Sequence, residues 1–158
     1  MGRALLAVLA LATATAPPRH GVLVPGVSLG GIRPGATAAD VRRAWGRSHG
    51  VCVGCPVQTW YFTYERFTQP GAGVEFRRGR VQAIFTLWSP PGWRTAGGLV
   101  LGASEAEVTA TAGVLERIEC GTYSAFVHRG RNAATVYYVV DGRLWGFGLG
   151  RPDAPVCR

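Results

Sequence analysis

Lysine is absent from this 158-residue chain, and all 17 basic residues are arginine. The missing lysine reads as GC-rich codon usage rather than selection. Acids are few as well, 9 against 17, so the formal net charge is +8. No apolar run approaches the roughly 18–20 residues needed to span a bilayer, which excludes a polytopic membrane protein. No G-x-S-x-G elbow, H-E-x-x-H helix or phosphate-binding glycine loop occurs. His20, His49 and His128 are the only histidines. Paired acids for general acid–base work are missing as a local motif. These absences argue for a non-enzyme. No cofactor is implied.

The residues that are present support a folded core. Hydrophobic residues make up 47% and charged residues 16%, too apolar for a disordered tail. The excess arginine favours acidic partners, either a protein or an anionic cell-envelope component. The densest basic run, Arg77-Arg78-Gly79-Arg80, sits at a hairpin turn. A nucleic-acid surface would need a basic stripe and a known motif, and neither is found.

Residues 1–16 read as an export signal. Arg3 precedes an apolar stretch from Ala4 to Ala12, and Ala14 and Ala16 offer cleavage positions. This predicts a secreted or extracytoplasmic chain with no stable membrane span after cleavage. No cysteine lies near the cleavage region, so lipid anchoring at a new N-terminal cysteine is not expected.

Four cysteines remain: Cys52, Cys55, Cys120 and Cys157. An even count in an exported chain points to disulfides. Of the three possible pairings, Cys52–Cys55 with Cys120–Cys157 is favoured, one stiffening a local turn and the other closing a long loop. The alternative is thiol–disulfide exchange at the C-x-x-C of Cys52 and Cys55. That chemistry wants the first cysteine at a helix N-terminus, whereas Pro56 and its neighbours read as a loop. A zinc site usually needs two close-spaced pairs, and only one is present; no metal is expected.

The most informative pattern is a repeat at an offset of 67 residues. The segment Gly31 to Gly46 aligns with Gly98 to Gly113, with six identities in sixteen positions. Thr37 and Ser104 take N-cap positions, with Asp40 and Glu107 three residues later as in a capping box. Gly46 and Gly113 then stop each helix. Each half ends in a predicted hairpin, around Arg78-Gly79 and around Asp141-Gly142. Residues 58–64 and 121–129 read as preceding strands. The expected organisation is a 17–26 N-terminal segment, repeat 1 over 27–88, a Pro-rich linker over 89–95 and repeat 2 over 96–158. The fold class expected is α+β, two tandem units of short helix plus antiparallel strands, with helices on one face of an open sheet.

This glycine, cap and helix pattern, followed by strands ending in Gly-Arg-Val, resembles the small SmpA/OmlA-type outer-membrane lipoprotein fold. Two copies in one exported chain resemble the beta-lactamase inhibitor protein architecture. The resemblance covers about residues 27–151 and implies a binding scaffold with a concave sheet. The lack of a lipidation cysteine argues against the lipoprotein role, and no residue match carries the inhibitor activity across.

Register arguments sort the sheet faces. Pairing Phe76 with Val81 and Val74 with Ala83 puts Val74, Phe76, Val81, Ala83, Phe85 and Leu87 on the core face. The other face then holds Glu75, Gln82, Ile84, Thr86 and Trp88. Carried onto the second hairpin, the same register leaves Tyr138, Trp145 and Phe147 on the open face. Either a bulge buries that heavier side, or these aromatics form a binding patch, extended by Trp88, Trp93 and Arg94.

Overall fold

Residues 17–65 and 68–158 are described by the computed structural model. The predicted export signal over 1–16 lies outside them. Thr37 and Ser104 both form full capping boxes, with Asp40 and Glu107 reaching back to the cap backbone. They open α1 (Ala38–Trp45) and α2 (Glu105–Ala112), which are offset by the 67 residues of the sequence repeat. Gly46 and Gly113 end them at φ of 82° and 78°, a region that favours glycine.

Eleven strands are found among the described residues. They are β1 (Val22–Val24), β2 (Ser28–Leu29), β3 (Gly50–Val51), β4 (Gln58–Thr63), β5 (Gly71–Arg77), β6 (Arg80–Leu87), β7 (Arg94–Thr95), β8 (Glu116–Glu119), β9 (Ser124–Arg129), β10 (Ala134–Val140) and β11 (Arg143–Gly150). Eight form one antiparallel sheet in the order β3-β4-β5-β6-β11-β10-β9-β8. The order is mirrored about the central β6–β11 pair, where Leu149 meets Ile84. A second sheet has the order β2-β1-β7, with β7 parallel to β1.

The α+β expectation is therefore corrected: the protein is mostly β. Helix length gives the reason. An eight-residue helix spans about 12 Å, whereas eight strands span about 34 Å across the sheet. Two such helices cannot form the second layer alone. They contribute Val41, Trp45 and Val108 to the core beneath the large sheet. The rest of that layer comes from Leu23 and Leu29 of the small sheet, together with Ile32, Trp93 and Leu99.

Both long hairpins turn where expected. Arg78 and Gly79 take φ of 52° and 73°, and Asp141 and Gly142 take 48° and 70°. Two successive positive φ values are the signature of the type I′ turn that suits a twisted hairpin. The register beyond the first turn differs from the sequence expectation, and the second hairpin takes the bulge that was one of its two readings. Phe76 opposes Val81, but Glu75 opposes Ala83 and Val74 opposes Ile84. Gln82 is the extra residue of a bulge. In the second hairpin Val139 opposes Leu144 and Tyr138 opposes Gly146, so Trp145 is bulged in the same way. Each bulge exchanges the faces of the residues after it. Ile84, Phe147 and Leu149 turn into the core with Val74 and Val81. Phe85 and Leu87, expected in that core, lie on the opposite face with Val136 and Tyr138.

Candidate functional site

The opposite face of the large sheet carries a groove of about 890 Å³. This lies within the size range of small-ligand and side-chain pockets, which are apolar with a few placed polar groups. Its floor is built from alternate positions of the central strands. Thr59 and Tyr61 come from β4, Glu75 from β5, and Phe85 and Leu87 from β6. Tyr138 of β10 and the bulged Gln82 and Trp145 complete it.

Glycine shapes this floor. Gly73 and Gly148 flank Phe85 on the neighbouring strands. A Cβ at Gly73 would stand 2.5 Å from the Phe85 ring, and one at Gly148 would stand 2.8 Å from the Tyr138 hydroxyl oxygen. Side chains there would push both rings off the sheet. The G-x-G-x-G spacing of Gly146, Gly148 and Gly150 thus gives β11 a bare groove face and a core face bearing Phe147 and Leu149.

The chain itself covers part of this face. Residues 151–158 run back across β10 and β11. The Arg151 N–H donates to the Gln82 carbonyl (2.8 Å), and the Tyr138 hydroxyl donates to the Val156 carbonyl (3.0 Å). Burial holds the Tyr138 phenol protonated, well above its usual range. The Cys120–Cys157 disulfide fixes the end of this segment. Cys52 is bonded to Cys55, so both bridges have the pairing favoured by the sequence. Cys55 and Cys157 stand on the groove lining.

Two charges line the groove. The Arg158 guanidinium lies 3.4 Å from the Glu75 carboxylate, and its Cζ lies 5.3 Å from the centre of the Phe85 ring. Glu75 is 8% exposed. Burial pushes its pKa above the ordinary glutamate range, while Arg158 and the Gln82 amide pull against that shift. An acid whose folded-state pKa is raised keeps its proton in the folded state over a pH window where the unfolded chain has lost it. Stability therefore falls as pH rises from the ordinary glutamate value through the raised one. Glu75→Gln is expected to flatten this decline, read as urea midpoints across about pH 4 to pH 7. An unchanged slope would mean that other groups set it.

The expected site residues divide. Trp88 and Trp145 meet at the groove edge, with ring centres 5.9 Å apart and planes at 70°. Trp88 is 54% exposed. It and Ser89 hold φ of 54° and 46°, an uncommon pair of values for residues other than glycine. Tyr138 lies on the floor. Phe147 and Trp93 are corrected by their burial, and Arg94 is exposed but elsewhere. Phe147 is fully buried on the far face of the sheet because of the Trp145 bulge. Trp93 is 1% exposed; it packs under Gly21 and Gly30 and donates its indole N–H to the Tyr64 hydroxyl. Arg94 belongs to β7 of the small sheet, outside the groove lining. The sequence register places Glu75 on the open face without marking it as a site residue, and no local motif marks Tyr61, Phe85 or Arg158.

Little supports chemistry elsewhere. His49 stacks on Trp60 with ring centres 4.0 Å apart, and burial lowers its pKa. His20 and His128 are exposed. Among the described residues no cluster of three or more His, Cys, Asp or Glu side chains is placed to hold a metal. Nor is any helix long and apolar enough to cross a membrane.

No protein-family model and no curated protein matches the sequence. Two solved structures share the fold. One is a DUF4309 family protein, YjgB, from Bacillus subtilis, with a TM-score of 0.52 and 14% identity over 73% of this chain and 78% of that one. The other is an extracellular protein containing an SCP domain from Bacillus anthracis, with a TM-score of 0.51 and 10% identity. That match covers 75% of this chain and 44% of the other, so the chain spans less than half of that protein's length. At these identities the likeness concerns the fold.

Proposed function

We propose that this is an extracytoplasmic, non-catalytic binding protein that captures a protein partner in the groove of its large sheet. The observation that carries this reading is the groove itself, an apolar and aromatic trough with one charge pair at its floor. A stretch of polypeptide, residues 151–158, already lies on the same face, which favours a protein occupant over a polymer. The mirrored strand order and the matched bulges at Gln82 and Trp145 support an origin by tandem duplication. Two disulfides and the extracellular description of one structural neighbour fit the location.

Trp88 and Trp145 are the anchors this reading requires. Tryptophans that contribute 2 kcal/mol or more dominate many interfaces. The double variant Trp88→Ala/Trp145→Ala is expected to unfold cooperatively, close to the parent, and to lose capture of an extracytoplasmic protein by about 30-fold or more. Equal capture by both proteins would overturn the reading. So would capture confined to an anionic envelope polymer that salt releases.

The thiol–disulfide alternative finds less support. Cys52 and Cys55 sit in the loop between β3 and β4, with no helix N-terminus to lower a thiol pKa.

A further inference from the structure

We propose that the groove floor is a subsite for a guanidinium group, that Arg158 is its resident occupant, and that an arginine side chain of the partner replaces it. This rests on the reading of the groove as a protein-binding site and names the side chain that enters it.

Arg158 shows what the floor accepts. Its guanidinium has the Glu75 carboxylate on one side, at 3.4 Å, and the Phe85 ring on another, at 5.3 Å. A planar, weakly hydrated guanidinium suits both an ion pair and an aromatic face better than an ammonium does. The aromatic face exists because Gly73, opposite Phe85 on β5, leaves the ring room to lie on the sheet. Among the described residues, Glu75 is the only Asp or Glu side chain on the groove lining. With Arg158 displaced, the groove would be an aromatic trough with a single buried negative charge inside a protein of net charge +8. That combination selects one cation flanked by apolar residues and disfavours a polybasic surface.

Arg158 is placed by its backbone more than by its head group. The Tyr123 hydroxyl accepts from its N–H and donates to its main-chain oxygen, and the neighbouring Cys157 is bonded to Cys120. The guanidinium makes no contact with Glu75 shorter than 3.4 Å, and the side chain keeps 16% of its surface exposed. An occupant tethered in this way competes through its high effective concentration. Removing its side chain should expose the subsite.

The test is calorimetric titration of the folded protein with N-acetyl-arginine amide. Arg158→Ala is expected to bind this probe at least about tenfold more tightly than the parent does. Adding Glu75→Gln should abolish the gain, and N-acetyl-lysine amide should bind less well. The opposite chemistry, in which Arg158 itself receives an anion, predicts the reverse sign: the parent binds acetate or inorganic phosphate and Arg158→Ala loses it. That result would overturn the proposal, as would no gain in arginine binding. If Arg158→Ala unfolds readily, a rise in its melting temperature with the arginine probe and not with the lysine probe serves as the readout; equal rises would overturn the proposal. The small probe reads the subsite alone. Failure here with tryptophan-dependent capture intact would remove the arginine subsite and leave the binding reading standing.

Discussion

Replacing Trp45 by alanine is expected to lower the unfolding free energy by about 3–5 kcal/mol, the range for large aromatic truncations in a core. Trp45 is the last residue of α1 and is 1% exposed. Its indole N–H donates to the Gly30 carbonyl at 2.7 Å, and its ring stands edge-on to Phe62 at 5.3 Å. Truncation would open a cavity and also leave that carbonyl without its partner, and the two costs have the same sign. The surroundings are too tightly built to collapse into the space. Gly30 holds φ of 56°, and a Cβ there would lie 2.8 Å from the Trp45 ring and 2.9 Å from the Trp93 ring. Urea denaturation followed by far-UV circular dichroism checks the value. A loss below about 1 kcal/mol, typical of a surface change, would mean that α1 does not anchor the layer beneath the sheet. Trp88→Ala is the matched control, since that residue is exposed and lines the groove instead of the core.

Such a contrast between tryptophans was only partly legible in the sequence. Local signals were readable where a short motif decides the backbone. Thr37 with Asp40, Ser104 with Glu107, and the Arg78-Gly79 and Asp141-Gly142 turns act within four residues, and each forms as its chemistry dictates. The bulge at Gln82 was not readable, whereas the one at Trp145 was among the readings that the heavy aromatic side of the second hairpin suggested. A bulge is chosen by packing across the sheet, and one extra residue reverses the face of everything after it. Phe85 therefore looked buried in the main core, and Phe147 could reach that core only if a bulge was allowed. The groove face of β11 was written in Gly146, Gly148 and Gly150, but that spacing reads as a face only once the register is known. Fold class failed for a related reason. The helices carry clear cap and stop signals, whereas β1, β2 and β7 are two or three residues long, too short for an alternation to show. Glu75 offered the best missed signal, as an acid inside the apolar run Gly73-Val74-Glu75-Phe76. An acid buried on a strand needs a partner, and Arg158 lies 83 positions away in the chain, beyond any local pattern.

Replacing Cys120 and Cys157 together by serine is expected to cost about 4 kcal/mol, from the loop-closure entropy of a 37-residue separation. The Cys52–Cys55 bridge has a separation of 3, and its loss should cost much less on the same account. The larger effect has a local component. Without the bridge, residues 151–158 keep the Arg151–Gln82, Tyr138–Val156 and Tyr123–Arg158 hydrogen bonds, the Arg158–Glu75 pair and the exposed Arg77–Asp153 ion pair. Exposed pairs of this kind contribute about 0–1 kcal/mol. This segment should open before the sheet does, so amide hydrogen exchange should accelerate over 151–158 while β5, β6, β10 and β11 stay protected. Uniform acceleration would mean that the bridge stabilises only against global unfolding. The same variant bears on the groove. Freeing residue 157 lowers the effective concentration of the Arg158 side chain at Glu75, so N-acetyl-arginine amide should bind the serine variant more tightly than the parent, with Glu75, Phe85 and Arg158 unchanged. A stable serine variant with a mobile 151–158 segment and no such gain would show that Arg158 does not compete for the groove. A gain that tracks the exchange rates would tie occupancy of the groove to the order of this one segment.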